Sequence, residues 1–469
     1  MTPTGSSGRA QRRPGGRPTR RGKPAPDAPR RVAFDLLRAV DERDAYANLA
    51  LPGLLRDRSL SGRDAAFATE LGYGTLRGRG TYDAVIAVCA DRPLEQVDPP
   101  VLDVLRLGAH QLLAMRVPSH AAVGATVELA RAVVGESRGS FVNAVLRRVG
   151  ARDLVSWLAE VAPAYDTDPL GHLAVVHSHP RWVVSAMRDA LGGDLAETAA
   201  ALAADNRAAE VTLVARPGRA EVGELLDAGA RPGDWSPYAA VLNGGDPAAL
   251  AAVRSGRAGV QDEGSQLVAL ALARAPLTGR DERWLDMCAG PGGKAALLGA
   301  VAAARGAVVV AGEIAPHRAA LVRRAAGPDA AVVVADARVP PWVGGTFDRV
   351  LLDAPCTGLG ALRRRPEARW RRRPDDVSAL AGLQRELLGQ AADAVRPGGL
   401  VAYVTCSPHL AETRAVVADV LGRHGDLTRE DARSLLPGVP DLGAGPDVQL
   451  WPHRHGTDAM FLSLLRRRA

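Results

Sequence analysis

Cysteine is scarce in this chain, with four in 469 residues: Cys89, Cys288, Cys356 and Cys406. So few thiols over such a length make no disulfide framework, and none is spaced like a zinc site, so no metal is expected. Long apolar runs are missing too. No stretch approaches the ~20 residues needed to cross a bilayer. The N-terminus is rich in arginine and proline and lacks the apolar segment of a secretory signal. Together these absences lead us to expect a cytoplasmic protein with reduced thiols.

Hydrophobic residues make up 47% and charged residues 24%, as in ordinary soluble globular chains. The length suits two or three domains, each with its own core. The formal net charge of +7 is unevenly placed, because residues 1–31 carry nine Arg and Lys against Asp27 alone. That is a net of +8, which leaves about −1 for all that follows. The high isoelectric point therefore describes a tail. Residues 1–28 offer little to bury and read as a disordered extension, either solvated or loosely touching polyphosphate.

From residue 29 to 155 the apolar spacing is helical. Val32, Leu36, Leu37 and Val40 share one face, and Ser61 with Asp64 suggests a variant capping box opening a helix through Ala66, Phe67, Leu71 and Tyr73. Separate helices are expected over 81–89, 101–115, 121–134 and 141–149, about seven in all, with Cys89 in the core. Residues 156–265 mix helix and strand signals, which supports a small α/β linker module. Trp182 and Trp235 there could stack on bases, but a buried role is the default for tryptophan.

From residue 266 to the C-terminus strands and helices alternate. Short apolar runs at 284–289, 307–314, 331–335, 349–353 and 400–405 are separated by helical lengths, the βαβ rhythm of a Rossmann-like sheet. A terminal strand pair is expected from 450–453 and 460–465. Ligands of such sheets bind outside the carboxyl ends of the strands, and chemistry-bearing residues gather there. After the first strand comes a glycine turn, Cys288, Ala289, Gly290, Pro291, Gly292, Gly293 and Lys294. Glu313 ends the second strand and could bind a ribose diol. Asp336 follows the third, and Asp353 ends the fourth. The turn lacks the spacing of a phosphate-binding P-loop and of a dinucleotide site. It fits S-adenosylmethionine, an adenosine with an amino-acid tail and no phosphate.

Two cysteines complete the pattern, Cys356 in Asp353-Ala-Pro-Cys356 and Cys406 in Thr405-Cys406-Ser407. A thiol with a pKa of about 8.5 is a few per cent thiolate at neutral pH, and a pocket can raise that fraction. C5 of cytosine is unreactive in the aromatic base, and a nucleophile adding at C6 activates it. Beside Cys356 runs Arg363-Arg-Arg-Pro-Glu-Ala-Arg-Trp-Arg-Arg-Arg373, seven arginines and a tryptophan, which we expect to meet single-stranded RNA at the pocket mouth.

The helical part resembles the NusB-type domain in Arg63-Asp-Ala-Ala-Phe-Ala-Thr-Glu-Leu-Gly-Tyr-Gly-Thr-Leu-Arg77, in Leu105-Arg-Leu-Gly-Ala-His-Gln-Leu-Leu113 and in Phe141-Val-Asn-Ala-Val-Leu-Arg147. Within the last motif, helix packing or capping is the plain reading of Asn143 and Arg147. The glycine turn with both cysteine motifs resembles the RNA 5-methylcytosine methyltransferases of the Sun/Nop family, whose NusB-bearing branch modifies ribosomal RNA. The likeness spans residues 29–465. Gly290, Ala295 and Thr357 stand where the family more often has Ala, Thr or Ser, and Asp458-Ala-Met-Phe461 varies its terminal motif.

The resemblance implies an all-α NusB-like domain, a small RNA-recognition-like α/β linker and a Rossmann-like methyltransferase domain. It implies S-adenosylmethionine as cofactor, small-subunit (16S) ribosomal RNA as partner and a monomeric chain. In the family the Thr-Cys-Ser cysteine is the nucleophile, here Cys406, and the Pro-Cys cysteine assists product release, here Cys356. Asp353 holds the cytosine edge close to the cofactor. Spacing alone does not divide these roles, because related DNA enzymes use the Pro-Cys thiol as nucleophile. The rivals are the same chemistry on transfer RNA and a non-catalytic antitermination-like RNA-binding protein.

Overall fold

The computed structural model describes residue 2 and residues 27–469, so the expected tail over residues 1–28 lies almost wholly outside the described residues. Seven helices come first: Ala28–Arg43, Ala47–Asp57, Gly62–Cys89, Pro99–Leu113, Ser119–Val133, Gly139–Val149 and Leu154–Val161. Their apolar stripes meet in one core that buries Leu36, Leu71, Ile86, Leu105 and Leu146, together with Cys89. Two local expectations change. Residues 81–89 are not a separate helix but the end of Gly62–Cys89. Glycines that read as breaks lie inside it because neighbours press close: a Cβ at Gly80 would run into the ring of Trp370. Ser61 is the N-cap by position but makes no side-chain cap hydrogen bond, so the capping box does not form.

The middle of the chain has three short helices, Pro169–Val176, Arg181–Ala190 and Leu195–Asp205, and then a four-stranded antiparallel sheet. Its strands are β1 (Val211–Ala215), β2 (Ala230–Pro232), β3 (Ala239–Leu242) and β4 (Ala258–Val260), in the order β2-β3-β1-β4. The helix Glu263–Arg274 leads on to the large sheet.

That sheet contains β5 (Arg283–Asp286), β6 (Val308–Glu313), β7 (Ala330–Val334), β8 (Phe347–Asp353), β9 (Val395–Thr405), β10 (Leu427–Glu430), β11 (Val448–Gln449) and β12 (Phe461–Arg467). Strands β7-β6-β5-β8-β9 are parallel, and β12, β10 and β11 add antiparallel pairs beyond β9, so the sheet is mixed. The short strand just before the last one that pairs with it is β11, not residues 450–453, which turn into a short helix with Pro452 at its first position. Parallel register brings the carboxyl ends of β5, β6, β8 and β9 to one edge, with Asp353 opposite Val404.

The arginine run ties the layers together from within. Arg369 is fully buried. Its guanidinium donates to the Ser178 carbonyl at 3.0 Å, the Asn206 Oδ1 at 2.8 Å and the Arg77 carbonyl at 3.3 Å. Arg371 donates to the Ala45 carbonyl at 2.9 Å, and Arg365 and Arg371 lie over the Tyr46 ring. Arg364 pairs with Asp458. This corrects the expectation of a run facing RNA. A guanidinium carries five donors in a rigid fork, and here several of them cap buried carbonyls where the helical part, the middle of the chain and the large-sheet part meet. Of the seven arginines, Arg365 and Arg373 are the exposed ones.

Candidate active site

The glycine turn leaves β5 at Asp286 and enters the helix Gly293–Ala303. Gly292 sits at φ +112° as its N-cap, and a Cβ there would lie 2.8 Å from the Val322 Cα. A Cβ at Gly290 would strike the Glu313 carboxylate. Gly292, with its left-handed backbone and a neighbouring backbone in the way, needs glycine, whereas at Gly290 the obstacle is the end of a side chain. Glu313, at the end of β6, accepts the Gly290 N–H at 3.1 Å and the Ala315 N–H at 2.9 Å, and Arg318 stands 3.6 Å away. Each Glu313 oxygen keeps a lone pair for a further donor.

Asp286 is fully buried, and neither carboxylate oxygen has a hydrogen-bond partner of good geometry among the described residues. Burial first, and then the charge of Asp353, pushes its carboxyl up to about 8. An orphaned buried carboxyl, a glycine cradle and a free ribose-type acceptor suit an adenosine with a cationic amino-acid tail. Asp336 lies two residues beyond β7 and is engaged by Arg338 at 2.7 Å, which holds it below the usual carboxylate range. Its loop joins the Glu313 edge through the Ala335 N–H to the Glu313 carbonyl at 3.2 Å. Cys288 is half-buried, and desolvation pushes its thiol up.

Cys356 and Cys406 come together with their sulfurs 3.4 Å apart. Each follows the carboxyl end of a core strand, β8 or β9, and those strands are hydrogen-bonded neighbours. Lys294 reaches from the glycine turn to Asp353, Nζ to Oδ2 at 2.8 Å, which links the turn to the cysteine loops. The two thiols sit in unlike fields. The hydrogen bond shared with Cys356 lowers the Cys406 thiol, burial and the Asp353 carboxylate work against it, and the Lys294 ammonium adds to the lowering. The same hydrogen bond, burial and the Glu412 carboxylate raise Cys356.

Several participants escaped sequence reasoning. Glu412 is fully buried behind both cysteine loops and accepts from Thr357 and Ser407. Asp458 and Asp262 are buried with Arg363 and Arg364 beside Cys406. Desolvation and the neighbouring Asp458 raise Asp262 to about 6. A lone Glu in a helical stretch and an Asp in a terminal loop carry no spacing signal. Asp458 alone had one, as a member of the terminal motif. Trp182 and His409 line a groove of about 740 Å³ next to the Cys406 loop, with Arg181, Ser185 and Ser378. Trp235 donates its indole N–H to the His455 carbonyl at 2.8 Å and is half-buried.

Residues 275–466 match the family model of the 16S rRNA methyltransferase RsmB/F, and residues 27–151 match that of the NusB family. Rv1407 of Mycobacterium tuberculosis (strain ATCC 25618 / H37Rv), a provisionally named methyltransferase, is 56% identical over 444 residues, covering 94% of this chain and 97% of the relative. Ribosomal RNA small subunit methyltransferase B of Vibrio cholerae serotype O1 is 32% identical over 448 residues, 93% of this chain and 96% of its own. Among solved structures, that of PH0851 superposes with a TM-score of 0.77 at 23% identity over 94% of this chain and 99% of that one. NSun6 from Pyrococcus horikoshii with SFG gives 0.53 at 19% identity, over 62% and 98%. At these identities the two structures share a fold with this chain.

Proposed function

The chain belongs to the RsmB/F family of ribosomal RNA methyltransferases, and from that premise we propose that it methylates C5 of a cytosine in 16S ribosomal RNA through a covalent adduct with Cys406. The observation that carries the mechanism is the pair of thiols 3.4 Å apart, with the lysine-bound Asp353 beside them. The Cys406 thiolate gives its electron pair to C6 of the ring, which makes C5 electron-rich. Asp353 holds the cytosine edge, oriented by Lys294. After C5 has been methylated and has lost its proton, the ring double bond re-forms, the C6–S bond breaks and its pair returns to Cys406. Cys356 assists this release. Attack from one face and methylation from the other require an unstacked base, so the substrate is a loop of unassembled RNA.

The cofactor is S-adenosylmethionine, whose sulfonium supplies an electrophilic methyl group when bound. Its holders are the turn from Cys288 through Ala289, Gly290, Pro291, Gly292 and Gly293 to Lys294, with Glu313, Asp336 and Asp353. Residues 29–155 and 156–265 bind RNA, and residues 266–469 perform the chemistry, in a monomer. The match to the NusB family over residues 27–151 favours ribosomal over transfer RNA. The intact cysteine pair argues against a non-catalytic antitermination role.

Bisulfite sequencing tests this. Ribosomal RNA from cells lacking the protein should lose one protected cytosine in 16S RNA. Re-expression of the native chain should restore it, and Cys406→Ala should not. Protection restored by Cys406→Ala overturns the nucleophile, and loss confined to transfer RNA overturns the substrate.

A further inference from the structure

Cys356 and Cys406 are both free and both half-buried, with their sulfurs 3.4 Å apart. Cys89 lies in the helical core and Cys288 in the glycine turn, and of the four cysteines only this pair is in sulfur–sulfur contact. A disulfide measures about 2.0 Å between its sulfurs, so side-chain rotation that brings them about 1.4 Å closer closes the gap and leaves the strands where they are. Half-burial leaves both side chains within reach of a small solute.

The backbone is pinned on both sides of the pair. The Ala354 N–H donates to the Val404 carbonyl at 2.9 Å, just before the two cysteines, and the Gly360 N–H donates to the Cys406 carbonyl itself at 2.9 Å. The Thr357 and Ser407 hydroxyls, each one residue beyond a cysteine, lie 3.1 Å apart, and both reach the buried Glu412 carboxylate. The Gln384 amide joins that carboxylate at 3.2 Å to the Pro355 carbonyl at 2.8 Å, on the other side of Cys356. These ties keep the two sulfurs together. Reacting groups held in contact combine in an effectively unimolecular step.

We propose that this pair is a redox modification site, which hydrogen peroxide closes into a Cys356–Cys406 disulfide and a dithiol reductant reopens. One sulfur attacks the peroxide: an S–O bond forms, the O–O bond breaks, and the departing hydroxide leaves as water with the proton of that thiol. The second sulfur then displaces the oxygen from the first: the S–S bond forms, the S–O bond breaks, and the hydroxide leaves with the second thiol proton as a second water. Two thiols have given two electrons and two protons to one peroxide, and the product is the same whichever sulfur reacts first. The consequence for catalysis rests on the reading of Cys406 as nucleophile. With the sulfurs bonded to each other, neither adds to C6 nor assists release, and methyl transfer stops until reduction. A thiol with no neighbour climbs instead to sulfinic acid, which thiol reductants do not reverse.

The test is brief exposure of the reduced full chain to hydrogen peroxide at pH 7, then unfolding, alkylation of the remaining thiols with iodoacetamide and peptide mapping without reductant. It needs neither RNA nor cofactor. The native protein should fall from four alkylated cysteines to two, Cys89 and Cys288, with the peptides of Cys356 and Cys406 joined. Dithiothreitol should restore all four, and methyl transfer with them. In Cys356→Ser the remaining Cys406 should gain oxygen and stay closed to alkylation after dithiothreitol. A native map in which Cys356 and Cys406 are both still alkylated, or carry oxygen without being joined, overturns the proposal. So does a link that forms equally well in the urea-unfolded chain, since folded geometry then has no part in it. Methyl transfer that persists in fully linked protein would leave the disulfide standing and overturn the nucleophile reading instead.

Discussion

Lys294 pairs with Asp353 and also faces the Cys406 sulfur. A cation beside a thiol favours the thiolate, so its removal raises the thiol pKa. In Lys294→Met the acid limb of the pH profile for Cys406 alkylation should therefore move to higher pH. At neutral pH the rate should drop about tenfold for each unit moved. An unmoved limb would remove the lysine from the electrostatics of the Cys406 thiol. Cys356→Ala should slow turnover and let a covalent RNA–protein adduct accumulate, seen as a shifted band in a denaturing gel. Absence of that band would count against a release role for Cys356. At this scale the two thiols that meet were legible as candidates, because a thiol closing a core strand is conspicuous in a chain with four cysteines. Glu412 was not. Its place behind both cysteine loops depends on four donors from three separate segments, which no local spacing encodes.

Among the elements, the strand-to-helix turn at 287–293 is the one to which cofactor binding is assigned in the proposal above. Gly292 stands in the left-handed region and within reach of the Val322 backbone. An alanine there adds about 1–3 kcal/mol of backbone strain as well as a clash. Gly292→Ala should weaken S-adenosylhomocysteine binding at least ~10-fold by calorimetry, an effect of that size in energy. Cys406 alkylation should stay near native. Equal affinity in the variant would remove the turn from the cofactor site. The turn was legible from its glycines and from its place after a strand. The arginine run was misleading. Arg369 and Trp370 show the reason, since position beside a pocket does not say which way a side chain faces. Glycines within Gly62–Cys89 misled in the same way, because tertiary neighbours override a local break signal.

The whole molecule is joined at a buried polar junction. Asp205 is fully enclosed, 3.8 Å from His179 and near Arg369, Arg363 and Asp458, and neither of its oxygens has a hydrogen-bond partner among the described residues. Burial pushes its carboxyl up to about 7. A carboxyl whose folded pKa is raised stabilises the fold at low pH, and that contribution is lost as pH rises through the folded value. Asp205→Asn does not titrate. Its melting temperature by calorimetry should gain on that of the native protein between about pH 4 and pH 7 and keep that gain above, with a full difference worth roughly 4 kcal/mol. A gap independent of pH would mean that Asp205 stays ionised throughout. The division into helical, mixed and alternating regions was readable from periodicity. The way the regions lock together was not, since it depends on which buried carbonyls happen to face Arg369.

Of 59 basic side chains, two are lysines, Lys23 and Lys294, and the rest are arginines. Within residues 27–469 the only side-chain amine is therefore the one that grips Asp353. An amine-directed label has a single target in that whole stretch. Its uptake would report, without RNA or isotope, whether the lysine–aspartate latch between the glycine turn and the cysteine loops is closed.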